Sequence, residues 1–188
     1  MRKTSAFPDC LLIASSEKNA DLYYATKFIA PDPFVFTQTR GKSFILVSDL
    51  ELDRAKKEAA VDGVFSTSQL AAEYKQKNKK ACTFIELVLF FLKKLKIDSV
   101  LVPGNFPIQY YAPLRHAGLR IQYKSGIFFE KRLIKDGVEI AAITQALRAT
   151  EKAAREAIRT LKHSVIRKNR LYFRGRVLTS EILREIIH

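Results

Sequence analysis

The chain has 188 residues, enough for one ordinary domain with something left over. Its 47% hydrophobic content, thirteen Phe and seven Tyr supply a packed core and exclude disorder as a description of the whole. A formal net charge of +14 is the one outlier; it admits an anionic partner, but the basic residues are spread along the chain, and charge alone speaks to solubility and association rather than function. The most apolar run, Phe84 to Leu92, contains Glu86 and stops at Lys93-Lys94, which excludes a membrane span, and the start from Met1 to Asp9 leads into a run too short for a signal peptide. A soluble cytoplasmic protein is expected.

Cys10 to Ala14 is a continuous apolar run of strand length, followed by a helix from about Asn19 to Phe28 with Leu22, Ala25 and Ile29 on one side. Pro31 and Pro33 break it, since proline forbids helix continuation and disfavours helix in its predecessor. Phe34–Thr37 and Ser43–Val47 flank Thr39-Arg40-Gly41-Lys42, a hairpin whose Gly41 can take positive φ. Asp49 to Ala60 reads as helix, Val61 to Phe65 as a short strand after a turn, and Ser68 to Lys75 as another helix. Phe84, Leu87, Val88, Phe91 and Leu95 mark a helix within Lys80–Leu95, and Ser99–Val102 a buried strand. A helix from about Pro107 to Ala117, with Gly118 after its end, leads to a strand over Leu119–Tyr123. Strands alternating with helices at this spacing argue an α/β domain with a mixed sheet flanked by helices.

Past Glu130 the pattern changes. Asp136 is positioned as a helix N-cap with Glu139 three residues on, a capping-box spacing, and Ile140, Ile143, Leu147, Ala154, Ile158, Leu161 and Val165 recur on one helical face. Two domains are therefore expected, 1–130 and 131–188, the second a hinge and the first helices of something larger. The periodic face has too little chain after it to be covered, so it should meet a second copy or stay exposed. Arg167, Lys168, Arg170, Arg174 and Arg176 interleave with Tyr172 and Phe173, a pattern compatible with backbone contacts and base stacking. The same Leu171-Tyr-Phe173 would serve as a strand edge or a turn, and a solvated surface patch is the expected reading.

The search for chemistry returns absences. There is no His-Glu-x-x-His, no Gly-x-Gly-x-x-Gly, no Gly-x-x-x-x-Gly-Lys and no Gly-x-Ser-x-Gly. His116, His163 and His188 are isolated. Cys10 and Cys82 lie far apart in apolar surroundings, which favours buried reduced thiols over a disulfide or metal site. Asp49, Glu51 and Asp53 form a carboxylate cluster but open a helix, where the dipole favours acids.

Together these residues resemble the N-terminal domain of the creatinase, prolidase and aminopeptidase P family, whose catalytic domains have the pita-bread fold. Asp9-Cys-Leu-Leu-Ile-Ala-Ser15 with Asn19 and Tyr24-Ala-Thr-Lys-Phe28 is similar to the family's first strand and its Tyr-Leu-Thr-Gly-Phe segment, with Lys27 where the family usually has glycine. Ile45-Leu-Val-Ser-Asp49, Arg54-Ala55, Ser99–Val102 and Phe106-Pro107 match later landmarks. Arg132-Leu-Ile-Lys135 with Glu139-Ile140 and Ala146 resembles the Arg-x-Ile-Lys-x-x-x-Glu-Ile hinge at the catalytic domain, and Leu178-Thr-Ser-Glu-Ile182 the opening of that domain's second helix.

The resemblance implies a non-catalytic N-terminal domain of an Xaa-Pro aminopeptidase or dipeptidase, contributing to dimerisation and to active-site access in its parent. The parent would hold two divalent ions (manganese, cobalt or zinc) on two Asp, one His and two Glu that activate a bridging water. None of those five can be placed before His188, so a fragment is expected, without catalytic or metal-binding residues. Its expected partners are a second copy and, only in the parent, a peptide substrate. Inactive relatives that bind histones or nucleic acid are the alternative, with nucleic acid the less expected partner.

Overall fold

The computed structural model of the chain describes residues 9–187. The expected domain start at Phe7 and the reading of His188 lie outside the described residues. The chain divides after Arg132 into two compact units.

The first unit is built on six strands: β1 (Cys10–Ala14), β2 (Phe34–Thr39), β3 (Lys42–Val47), β4 (Gly63–Ser66), β5 (Ser99–Pro103) and β6 (Arg120–Lys124). Their order is β4-β3-β2-β1-β5-β6. The β1–β2 and β2–β3 pairs are antiparallel; β3–β4, β1–β5 and β5–β6 are parallel. The sheet is mixed and flanked by helices, as the order of elements predicts. β1 is central and covered on both faces, which is why it reads as an unbroken apolar run rather than an alternating one. The two-residue pleat then sorts its side chains. Leu11 and Ile13 join Val35, Leu46, Val100 and Val102 under α3 (Thr67–Asn78), α4 (Phe84–Lys94) and α5 (Ile108–His116). Cys10 and Leu12 join Phe34, Phe36, Ile45 and Val47 against α1 (Ala20–Thr26), α2 (Asp49–Glu58) and Phe128. Each fully buried Leu or Phe in these layers contributes about 1.5–3 kcal/mol of transfer free energy.

Local chemistry sets the boundaries. Arg40 (φ 51°) and Gly41 (φ 78°) both take the left-handed conformation in the β2–β3 hairpin, the signature of a two-residue turn that matches strand twist. α1 starts at Asn19, whose side chain accepts the Leu22 N–H at 2.9 Å. It stops before the prolines are reached: Lys27 turns left-handed (φ 51°) and its N–H donates to the Tyr23 carbonyl. That conformation is one glycine adopts without a Cβ clash, so Lys27 carries backbone strain there. α4 begins at Phe84 rather than near Lys80, because Thr83 and Glu86 form a complete capping box. Val61 and Asp62 precede β4; the Asp62 carboxylate accepts the Ser43 N–H at 2.7 Å instead of sitting in a strand.

After a 3-10 turn over Glu130–Leu133, the second unit contains α6 (Gly137–Lys162), a three-stranded antiparallel sheet of β7 (Val165–Arg167), β8 (Arg170–Phe173) and β9 (Arg176–Val177), and α7 (Ser180–Ile187). The Asp136 capping box is present as its spacing predicts: Glu139 N–H donates to Asp136 Oδ1 at 2.8 Å, and Asp136 N–H to Glu139 Oε2 at 3.2 Å. One expectation needs correcting. Val165 shares the phase of the helical face but belongs to β7, since α6 ends at His163, where the imidazole Nδ1 meets the Arg159 carbonyl at 2.8 Å. The basic stretch folds as a meander, with Leu171, Tyr172 and Phe173 in its middle strand β8. The apolar face of α6 remains open, with Leu147 59% and Ile140 54% exposed.

Candidate functional site

Of the expected hinge residues, Arg132 is tied to α1 and Glu139 is bonded within the start of its own helix. Arg132 closes the 3-10 turn and its guanidinium meets Asp21 Oδ1 in the first turn of α1 at 2.5 Å. That tie joins residues 111 apart in sequence, so no spacing rule could have named Asp21. Glu139 is engaged in the capping box of α6, and Lys135 lies in the approach to that box.

The five basic residues divide between two tight turns at opposite ends of β8. Lys168 and Asn169 (φ 45° and 62°) turn β7 into β8, with Arg167 paired against Arg170 in the register. Arg174 and Gly175 (φ 49° and 80°) turn β8 into β9, with Phe173 opposite Arg176. Three residues, Leu171 to Phe173, separate the two groups, which puts Arg170 and Arg174 roughly 13 Å apart at strand rise. Arg174 lies over the Phe173 ring at 5.2 Å. No carboxylate occurs between Glu156 and Glu181, so the meander has no acidic residue of its own.

The other candidates serve the fold. Asp49 accepts a hydrogen bond from the Ser66 hydroxyl, and that bond with a weaker one from Ser68 holds its carboxyl below the usual range. Glu51 forms an ion pair with Arg54 at 2.5 Å, and Arg54 also donates to the Ile29 carbonyl at 2.7 Å. Asp53 is exposed, so the three acids converge on no point. Cys10 and Cys82 are free, and burial pushes the Cys10 thiol up to about 12. His116 is exposed in the last turn of α5. Glu86 is the most perturbed carboxylate, held down to about 2 by Lys80 first, then by the Thr83 N–H and hydroxyl and the Tyr74 hydroxyl. It sits on the α3–α4 flank, locking the start of α4. Among the described residues no three His, Cys, Asp or Glu side chains gather where an ion could sit. The donor set of the described residues therefore does not fit the implied pair of ions. No helix of the described residues is long and apolar enough to cross a membrane.

No family model and no curated protein sequence matches the chain. Solved structures do. The chain is similar to an Xaa-Pro dipeptidase from Bacillus anthracis (TM-score 0.66, 16% identity, over 86% of this chain and 41% of that one). It is similar also to an X-Pro aminopeptidase from Thermotoga maritima MSB8 (0.62, 14%, 95% and 46%) and to a prolidase from Pyrococcus furiosus (0.57, 16%, 85% and 41%). The chain thus spans about two fifths of the length of the structures it matches. At these identities the likeness is one of fold. That fold is the one implied by the resemblance to the creatinase, prolidase and aminopeptidase P family.

Proposed function

We infer that this chain is a non-catalytic N-terminal portion of an Xaa-Pro peptidase, one that helps its parent dimerise and narrows access to the parent's active site. The observation carrying this reading is the asymmetry of coverage: between 85% and 95% of this chain matches only 41–46% of each peptidase. In the full-length parent, the remaining part would carry the two divalent ions and the peptide chemistry, in a cytoplasmic homodimer. The free state of both cysteines agrees with a reducing compartment.

The test is direct. The purified chain, incubated with Xaa-Pro dipeptides and longer Xaa-Pro peptides plus manganese, cobalt or zinc, should release no product, because a hydrolytic metal needs several ligands converging on one point. Chelator-sensitive turnover would overturn the reading. Light scattering on the same sample should show a dimer; a strict monomer at ~100 μM would remove the dimerisation role.

A second reading, a nucleic-acid- or histone-binding module, is favoured by one observation: the meander has five basic residues, an aromatic under an arginine, and no acid. A true nucleic-acid site would lose affinity with a log–log salt slope near one per phosphate contacted. Weak binding is expected, gone by ~0.15 M salt; submicromolar binding there, lost when the five residues become Ser, would favour the module.

A further inference from the structure

We propose that the outer edge of β6 receives an extended, acidic segment of a partner protein as a seventh strand of the sheet. β6 ends the strand order, and its only strand partner among the described residues is β5. Register tells which backbone groups remain for a partner. The Arg120 N–H donates to the Asp98 carbonyl at 3.4 Å, and the Lys124 carbonyl accepts the Gly104 N–H at 2.9 Å. In a parallel ladder successive residues serve opposite edges, so Arg120, Gln122 and Lys124 bond inward. The N–H and C=O of Ile121 and Tyr123 point outward, a set of two donors and two acceptors at strand spacing.

A hollow of about 780 Å³ lies along this edge. It is lined by Leu101 and Gln122, which share one face of the sheet, and by Ile121 and Tyr123, which share the other with Tyr111 and Arg115 of α5. A hollow that reaches both faces suits an added strand, whose alternate side chains fall to either side of its backbone. Tyr123 is 70% exposed and free to cover an incoming apolar side chain.

Charge chooses the occupant. The Arg115 guanidinium meets only the Tyr111 hydroxyl, at 3.3 Å, and has no carboxylate partner among the described residues. Arg120 pairs with Asp98 across solvent, both side chains 70% exposed, so an incoming carboxylate can displace that pair at little cost. A second copy fits poorly. An antiparallel β6–β6 pairing centred on Gln122 would set Arg120 opposite Lys124 twice, and like charges directly opposite destabilise a ladder. The net charge of +14 adds to that repulsion and steers acidic chains toward the surface.

The experiment uses the full chain and a fluorescein-labelled octapeptide of alternating Val and Glu, read by anisotropy. Two control peptides replace every Glu with Lys or every Val with Pro. Only the acidic, proline-free peptide should bind, and its amide signature should be shifts and slowed exchange at Ile121 and Tyr123. Tyr123→Pro removes an outward N–H without touching the ladder to β5, a change tolerated at sheet edges. It should weaken binding at least tenfold, and Arg115→Ser at least fivefold. Should Tyr123→Pro fail to fold, Arg115→Ser and the exchange pattern decide alone. Absence of binding at 1 mM, equal binding of either control peptide, or affinity unchanged by Arg115→Ser would overturn the proposal. So would a dimer of the chain that Tyr123→Pro dissociates.

Discussion

In the unit that ends at Arg132, a helical layer covers each face of the sheet, and Leu11, Leu12, Ile13, Val35, Phe36, Ile45 and Leu46 are almost wholly removed from water. In the unit that follows, α6 runs for 26 residues and its one buried side chain is Thr160. Ile140, Ile143, Leu147, Ile158 and Leu161 remain about half exposed. Both stretches have the apolar periodicity of elements made to be covered. The difference lies in what surrounds them: a sheet between two helical layers closes its own core, whereas strands of three, four and two residues and one short helix cannot cover a helix of seven turns. Amphipathic pattern in a sequence therefore records that a face is meant to meet something, not that the partner lies in the same unit.

The largest test of this contrast uses one substitution in both places. Leu12→Ala empties a fully buried site and should cost about 3–5 kcal/mol in urea unfolding followed by circular dichroism. Leu147→Ala, at 59% exposure, should cost no more than about 0.5 kcal/mol. Equal losses would mean that the α6 face is covered in solution, and light scattering at the same concentration would then show a second copy.

Next in size is the response to pH, whose largest shifts, at Cys10 and Glu86, fall in the first unit. Burial disfavours the Cys10 thiolate, so the folded thiol keeps its proton up to about 12, while the unfolded chain loses it near the ordinary 9.0. The unfolded state thus binds fewer protons in that window, and stability falls as pH rises, by about 1.4 kcal/mol per unit. Cys10→Ala should flatten this alkaline slope relative to the parent. At the acid end the sign reverses in the usual carboxylate way. Glu86, held down by Lys80, supports folding above its ordinary 4.5, and that support is lost as pH falls toward about 2. Glu86→Gln should shift the acid limb of the unfolding curve; because Glu86 also raises the Lys80 ammonium above its ordinary 10.5, the Cys10 slope is compared below that pH.

How much of this was legible follows from where the determining contacts lie. The β1 run, the Arg40-Gly41 hairpin and the Asp136 capping box are local, with cause and effect within four or five residues, and each could be read directly. The β7–β9 meander could not, because its strands are too short to show a period of two and Val165 falls in phase with the preceding helix. Nor could the helix end at Lys27: a lysine there gives no sign that it adopts positive φ, and the nearby prolines offered a more obvious stop. For the candidate sites, the residue types at the hinge and in the basic stretch were plain. Their partners were not, since Arg132 meets Asp21 across the fold and the division of the arginines between two turns depends on strand register. The β6 edge left no trace in sequence, because an outward N–H is a property of pairing.

Capping supplies a smaller test on the side of the second unit. Asp136→Ala removes the side chain that accepts the Glu139 N–H and should cost about 1 kcal/mol. Because α6 is so little supported by packing, that loss should appear as fraying confined to its first two turns. Amide exchange over residues 137–143 should accelerate severalfold while β1 amides stay unchanged. Uniform acceleration along the whole chain would show instead that the two units unfold together.

The smallest effect compares strained turns across the two units. Lys27 in the first and Lys168 in the second both hold left-handed backbone, at φ 51° and 45°. At such a position glycine avoids the Cβ clash, worth about 1–2 kcal/mol, but brings back about 0.5–1 kcal/mol of chain entropy. Replacing Lys27 also removes its ammonium from over the Tyr24 ring, a contact at 4.8 Å. Gly and Ala variants both lose that contact, so their difference isolates the backbone. Lys27→Gly should exceed Lys27→Ala in stability by about 0.5–1 kcal/mol in chemical unfolding. The same pair at Lys168 should differ as much only if the meander is held as firmly as α1. No difference at Lys168 beside a clear one at Lys27 would mean that the second unit's turns open before the first unit unfolds. Equal differences would show that its exposed apolar residues leave its backbone as well determined as that of the closed core.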